Sequence, residues 1–498
     1  MTPEEFRAYG HRLVDWLADY HASLPGRAVM AKTGPGEIRA ALPSAPPTEP
    51  EDFGEAIRDL DRIVLPGLTL WQHPRFFGYF PANALLAGIL GDLVSTGLGV
   101  IGLSWQSSPA LTEIEEVVAD WMRQMLGLSS SWSGVIQDTA STSTLVALIC
   151  ARERATGYGM ARGGLRSQSR RLRVYASEDA HSSVGKGALL AGFGRENIRL
   201  VPNDAEFAMR ADALAETIGA DAANGDCPCA IVATVGATAT TANDPVAAIA
   251  EIAKRHDVWL HVDAAMAGGA MILPECRSMW DGVEGADSLV VNAHKWLGVP
   301  FDCSLYYVRD PEHLVRVMST HPSYLRSAAD AEVKNYRDWG VPLGRRFRAL
   351  KLWFVIREQG VSGLQKRLRR DMANTRRLAE MVAATPEWRV VAPVHLQTVC
   401  VRHAPLTSDG APLDGAALDA HTTAWVGAVN RSGQAYLTPA VIGGRWTARV
   451  SIGALSTEAA DVDAVWAIMR ATATEFVQCP NGCDSRCRHQ TGYHLAAR

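Results

Sequence analysis

Between about residues 86 and 355, short runs rich in Val, Ile and Leu alternate with stretches of helical periodicity, and few folds accept such a chain. The clearest runs are residues 134–137, 173–176, 230–235, 258–262 and 288–291. Apolar runs this short, bounded by turn residues, predict strands covered on both faces. Intervening helices supply the covers, so the spacing predicts an α/β fold with a mainly parallel central sheet. Asp244-Pro245 should open one such helix, with Pro245 at its first position and Asp244 as cap. In sheets of this kind ligands gather beyond the carboxyl ends of the strands. Two residues there can carry chemistry. Asp263 ends the run in His261-Val262-Asp263-Ala264-Ala265, and Lys295 follows the next in Asn292-Ala293-His294-Lys295-Trp296.

A lysine and an aspartate so placed are what an enzyme needs to hold pyridoxal phosphate. The amine forms a Schiff base with the cofactor aldehyde, and the carboxylate keeps the pyridine nitrogen protonated so that the ring can take up an electron pair. Either residue alone reads as an ordinary surface lysine or strand-end aspartate; the pair on successive strands is the informative feature. His294, Trp296 and the apolar run before Lys295 predict an enclosed amine with lowered proton affinity. The phosphate end should lie at a helix N-terminus. Gln137-Asp138-Thr139-Ala140-Ser141-Thr142 follows a strand and precedes an apolar helix, with Thr139 and Ser141 supplying hydroxyls. Asp138 must point away from a dianion there. His181, where another strand meets a helix, can stack on the pyridine ring, and Thr238 is a candidate contact to the cofactor.

The rest of the chain bounds the function. With 498 residues and 47% hydrophobic composition it can bury a large core in two or three domains. A net charge of −4 gives no reason to expect nucleic acid or an anionic membrane as partner. Neither a run long enough to span a bilayer nor a signal-peptide pattern at Met1-Thr2-Pro3-Glu4-Glu5-Phe6 is evident, so a cytoplasmic enzyme is expected. Phe6, Tyr9, Leu13, Trp16, Leu17 and Tyr20 form an apolar stripe on a first helix, a second runs over about 53–63, and such surface calls for a partner, which a homodimer supplies. The expected organisation is an N-terminal helical dimerisation segment (1–85), a large cofactor-binding α/β domain (86–355), a small α+β domain (356–475) with a helix over about 364–385, and a tail (476–498). Cys150, Cys303 and Cys400 lie in apolar segments and read as small buried hydrophobes. Cys479, Cys483, Cys487 and His489 have a spacing that could attract a metal, but Pro480, Asn481 and Gly482 would break the helix needed, and no metal is expected.

These motifs carry a resemblance. Asp263 and Lys295 in their contexts, Ala180-His181-Ser182-Ser183-Val184, Pro342-Leu343-Gly344-Arg345-Arg346-Phe347-Arg348 and His73-Pro74-Arg75-Phe76-Phe77-Gly78-Tyr79-Phe80-Pro81 resemble the group II pyridoxal phosphate decarboxylases, and within them the aromatic L-amino-acid decarboxylase family. The resemblance spans about residues 1–470. It implies a fold type I enzyme, dimeric, with active sites at the interface. By resemblance, Lys295 is the Schiff-base lysine, Asp263 the pyridine partner and His181 the stacking residue. Ala140 and Ser141 hold the phosphate beside Thr139; Thr238 and Asn292 complete the cofactor site, His294 flanks the lysine within it, and Arg449 is a further contact. Tyr324, in a mobile lid over about 322–334, returns a proton to the carbon after CO2 leaves. Tyr79, Phe80, Ala82, Ile101 and Leu103 join His181 around the substrate, and Trp71, Phe76, Phe77, Tyr79 and Phe80 read as an aromatic wall.

Two departures stand out. Asp138 replaces a glycine of many relatives. Ala82 and Leu103 replace Thr and Phe of animal DOPA decarboxylases, and the lost hydroxyl argues against strict catechol preference. The implied reaction is decarboxylation of DOPA, 5-hydroxytryptophan, tryptophan, tyrosine or phenylalanine. Its rivals are an aminotransferase, an oxygen-using aldehyde synthase, which in the resemblance goes with loss of the loop tyrosine or the stacking histidine, and a silent cofactor-binding dimer.

Overall fold

The computed structural model describes residues 1–80, 82–320, 332–407 and 410–478. Among these residues twelve strands form two sheets: β1 (Phe76–Phe77), β2 (Ser133–Gln137), β3 (Leu172–Ser177), β4 (Ile198–Val201), β5 (Cys227–Thr234), β6 (Trp259–Asp263), β7 (Ser288–Asn292), β8 (Ser304–Val308), β9 (Trp388–Val390), β10 (Thr398–His403), β11 (Tyr436–Ile442) and β12 (Arg445–Ser451). The large sheet has the order β2-β8-β7-β6-β5-β3-β4, with β8 alone antiparallel to its neighbours. All five strands expected from sequence are present within a few residues at their ends; β4 and β8 complete the sheet. Successive residues bury on opposite faces. Ile231 and Ala233 join one apolar core with Val262, Val291 and Trp296, while Ala230 and Val232 join the other with Val146, Val174 and Tyr306. Cys150, Cys303 and Cys400 are buried and unbridged, as expected.

The small sheet runs β1-β11-β12-β10-β9. Its first strand comes from the N-terminal part of the chain and pairs in parallel with Tyr436 and Leu437. Phe77 lies in this sheet's core with Trp425 and Val450, and Phe76 stacks on Tyr436 at 5.3 Å. Trp71 in turn stacks on Phe76 and Tyr79. The expected aromatic wall is therefore mostly packing for the small sheet, because a paired strand must bury both of its phenylalanines.

The first helix, Pro3–Ser23, starts in a capping box formed by Thr2 and Glu5, and buries none of its residues in the single chain. The second begins as expected at Phe53–Asp59 and continues as a wider turn over Leu60–Val64. A long helix, Arg348–Ala383, is broken at Gly360, where φ is 61°. Asp244 does not cap the helix Val246–His256. Its carboxylate accepts instead from the amides of Met209 and of Thr234 at the end of β5, each at 2.7 Å.

Arg345 ties the helix Pro109–Met125 to β2. It meets Glu115 in a buried two-pronged pair (2.6 and 3.0 Å) and donates to the Ile136 carbonyl, while Glu115 accepts from the Ile136 amide. Removing one partner strands a buried charge. Glu115→Leu should therefore cost about 3–5 kcal/mol in urea unfolding, and adding Arg345→Met should recover more than half of it. Equal losses in the single and double variants would refute this.

Candidate active site

Parallel pairing aligns the carboxyl ends of β5, β6 and β7. Thr234 lies opposite Asp263, Asp263 opposite Val290, and Asn292 ends the next strand. A cavity opens there, and its walls bring together most of the predicted residues: Thr139, Ala140, Ser141, His181, Thr238, Asp263, Asn292 and Lys295. Thr234, Gly236, Ala265 and Met266 complete it. Sequence reading missed those four, although strand alignment with Asp263 could have indicated Thr234. Gly236 has φ of +80°, and a Cβ there would lie 2.4 Å from the Cβ of Ala267, so only glycine lets this turn close.

Each side chain has a local reason for its position. One oxygen of Asp263 accepts from the Ala265 amide at 3.0 Å, an aspartate turn after a strand, and the other holds no hydrogen bond among the described residues. Lys295 sits in the turn after β7, with its amide bonded to the Asn292 carbonyl and its Nζ 6.0 Å from the Phe80 ring centroid. Burial lowers its proton affinity, Asp263 opposes this, and the Arg449 charge adds to it. Asn292 is fixed by the Ser304 hydroxyl at 2.6 Å.

His181 is the N-cap of the helix Ser182–Leu190, and its Nδ1 accepts from the Ser183 amide at 3.2 Å. In neutral imidazole the proton is then on Nε2. Burial lowers its proton affinity, with Asp263 and Lys295 close enough to exert opposing effects. Thr139 precedes the helix Ala140–Ala155, whose first-turn amides lack intrahelical partners. Asp138 takes the Thr139 amide at 2.6 Å, leaving the following amides to an anion. Arg449 of β12 reaches the cavity from behind, donating to the carbonyls of Thr238 (2.5 Å), Ala239 (2.8 Å) and Tyr79 (3.2 Å).

Other expected residues lie elsewhere. His294 is outside the cavity: its Nδ1 accepts from the Cys303 amide at 2.9 Å and its ring packs on Phe301. It braces the lysine turn against β8. Of the substrate set, Phe80 borders Lys295, whereas Tyr79 stacks on Trp71, the Ala82 carbonyl accepts from Gln72, the Leu103 carbonyl accepts from Arg337, and Ile101 is exposed. None of these four lines the cavity of the single chain. Tyr324, most of its surrounding segment and the cysteine tail lie outside the described residues.

A family model described as the pyridoxal-dependent decarboxylase conserved domain matches residues 35–404. The chain belongs to this family. Tryptophan decarboxylase 2 of Oryza sativa subsp. japonica is 39% identical over 490 residues, 96% of each chain. Phenylacetaldehyde synthase of Arabidopsis thaliana is 37% identical, covering 95% of this chain and 97% of that one. The crystal structure of Oryza sativa TDC with PLP and tryptamine matches with a TM-score of 0.91 at 36% identity, over 96% of this chain and 99% of that one. The mainly parallel sheet is thus that of fold type I enzymes, and pyridoxal phosphate is the decarboxylase's cofactor. The cavity fits it: among the described residues Asp263 has an oxygen to spare, the buried Thr234 hydroxyl has no partner, and the helix N-terminus presents free amides.

Burial pushes the imidazoles of His261 and His294 down to about 4. Both stay neutral in the fold but protonate near pH 6.5 once unfolded, so their contribution is lost as pH falls from about 6.5 to about 4, by up to about 1.4 kcal/mol per pH unit each. Asp244, raised to about 6 by burial, has the opposite sign and favours the fold as pH drops through that value. His294→Gln, compared with the parent in urea midpoints between about pH 7 and about pH 5, should lose roughly one histidine's share of the slope. An unchanged slope would show that His294 titrates normally.

Proposed function

We propose that the decarboxylase converts an aromatic L-amino acid to the arylethylamine and CO2. The observation that carries this is the meeting of Lys295, Asp263, His181 and an open helix N-terminus in one cavity. When bound, the cofactor supplies the electron sink for the pair left behind as CO2 departs. Lys295 Nζ, kept poor in protons by burial, holds the aldehyde carbon. The spare oxygen of Asp263 accepts the pyridine N–H, and its charge keeps that proton in place. His181 would cover the ring from the cavity wall, with its proton on Nε2. Thr139, Ala140 and Ser141 bind the phosphate, with Thr238 and Asn292 at the ring. Tyr324 delivers its hydroxyl proton to the substrate Cα.

An aromatic substrate is supported by the tryptophan decarboxylase likeness and by Phe80 beside Lys295. Tyr79, Ala82, Ile101 and Leu103 belong to the substrate pocket in a homodimer whose second copy also covers the apolar surfaces left open here. Those surfaces are the first helix and the helix Leu86–Gly97, where Leu86, Leu90, Leu93 and Val94 are exposed. Residues 1–85, 86–355 and 356–475 then act as dimerisation segment, cofactor domain and small domain, ahead of the 476–498 tail. No helix among the described residues is long and apolar enough to cross a membrane, and we assign the protein to the cytoplasm. The second reading, an aldehyde synthase, is favoured by the phenylacetaldehyde synthase likeness and opposed by the presence of Tyr324 and His181.

Product analysis with tryptophan, tyrosine, phenylalanine, DOPA and 5-hydroxytryptophan tests this. Equimolar CO2 and amine without oxygen uptake is the expected result; aldehyde with oxygen uptake, or keto acid, overturns it. Lys295→Ala should abolish borohydride trapping of the cofactor together with turnover, and trapping at another lysine would reassign the residue. Tyr324→Phe should lower amine yield more than CO2 release while aldehyde, ammonia and peroxide appear. Unchanged amine yield without oxygen uptake would remove Tyr324 as proton donor.

A further inference from the structure

Just past β1 the chain passes through a strained residue. Tyr79 has φ of 46°, in the left-handed region, which a tyrosine keeps only where its surroundings hold it there. Its side chain is exposed and stacks on Trp71, and the grip comes at its peptide groups. The Tyr79 amide donates to the Thr438 hydroxyl at 2.6 Å, and its carbonyl accepts from Arg449 at 3.2 Å. Thr438 and Arg449 are register partners on β11 and β12, so one cross-strand pair clamps the strained residue from both sides.

The next residue is Phe80. It is buried, edge-on to the Trp296 ring at 6.4 Å, and its ring centroid lies 6.0 Å from Lys295 Nζ. Further along, Asn83 donates to the carbonyl of Gly453 at 2.7 Å and to that of Lys295 at 3.4 Å. Phe80 is thus held between two anchors, the clamp on Tyr79 and the contacts of Asn83. Arg449 also serves Thr238 and Ala239 at the cofactor cavity, whereas Thr438 is not part of the cavity wall, so its reach to Lys295 runs through Tyr79 and Phe80. An aromatic wall attracts a second ring only over a narrow range of placements, while its contact with an aliphatic chain depends little on placement.

We propose that Thr438 is a positioning residue for the aromatic side chain of the substrate: by accepting the Tyr79 amide it fixes the left-handed turn that sets the Phe80 ring beside Lys295. This rests on the reading of an aromatic substrate and names a residue, remote from the chemistry, on which the preference for a ring depends.

The test uses the holoenzyme and the binding of two amines, tryptamine and isoamylamine, each followed by the change in cofactor absorbance. Thr438→Val, which keeps the shape but removes the acceptor, should weaken tryptamine about fivefold and isoamylamine less than about twofold. Thr438→Ser should restore tryptamine binding, and in a Phe80→Ala background Thr438→Val should have no further effect. Equal weakening of both amines, unchanged tryptamine binding, or a further loss on top of Phe80→Ala overturns the proposal. Should Thr438→Val fail to fold, crystals of the parent with tryptamine decide: an indole in contact with the Phe80 ring supports the role, and an indole placed away from that ring refutes it. Binding is read without turnover. A parent that shows this pattern but releases no CO2 from aromatic amino acids would sink the decarboxylase reading and leave the role of Thr438 standing.

Discussion

The parallel register of β5, β6 and β7 is the constraint on which the site depends. Because Thr234, Asp263 and Asn292 end neighbouring strands, three polar side chains converge at one edge without any loop having to carry them there. A slip of one residue would turn each to the opposite face and break both cores at once, since Ile231 and Val232 already divide between them. Apolar packing on both sides of the sheet therefore does more than stabilise it. It fixes the spacing between the lysine, the carboxylate and the helix that opens with Ala140.

That dependence explains which parts were legible. Buried parallel strands must be apolar along their whole length, so β5, β6 and β7 declare themselves, and the residues just past them can be nominated for chemistry. Edge strands are under weaker compositional demand. In β4 the sequence Ile198-Arg199-Leu200-Val201 mixes a charge into the run, and β8 is a short antiparallel insertion between two parallel neighbours. The long helix was visible only beyond Gly360, because the glycine punctuates a pattern that resumes on either side. Side-chain partnership was the least readable level. Asp244 satisfies strand ends, His294 turns to the Cys303 amide, and Phe76 and Phe77 bury in another sheet, all choices made by spatial neighbours distant in sequence.

The small sheet is joined to the cavity by one side chain. Arg449 leaves β12 and satisfies three carbonyls, two of them in the turn that bears Thr238 and one at Tyr79. Its charge is buried, yet its donors are used.

The pairing of β1 with β11 has a consequence for how the protein is made. Phe76 and Phe77 leave the ribosome 360 residues before Tyr436 and Leu437, their strand partners. Throughout that interval two adjacent phenylalanines and an unpaired strand edge are exposed on the nascent chain, the kind of surface that draws chaperones or aggregates. Termination anywhere before Tyr436 would leave the Phe76–Phe77 segment without its partner strand.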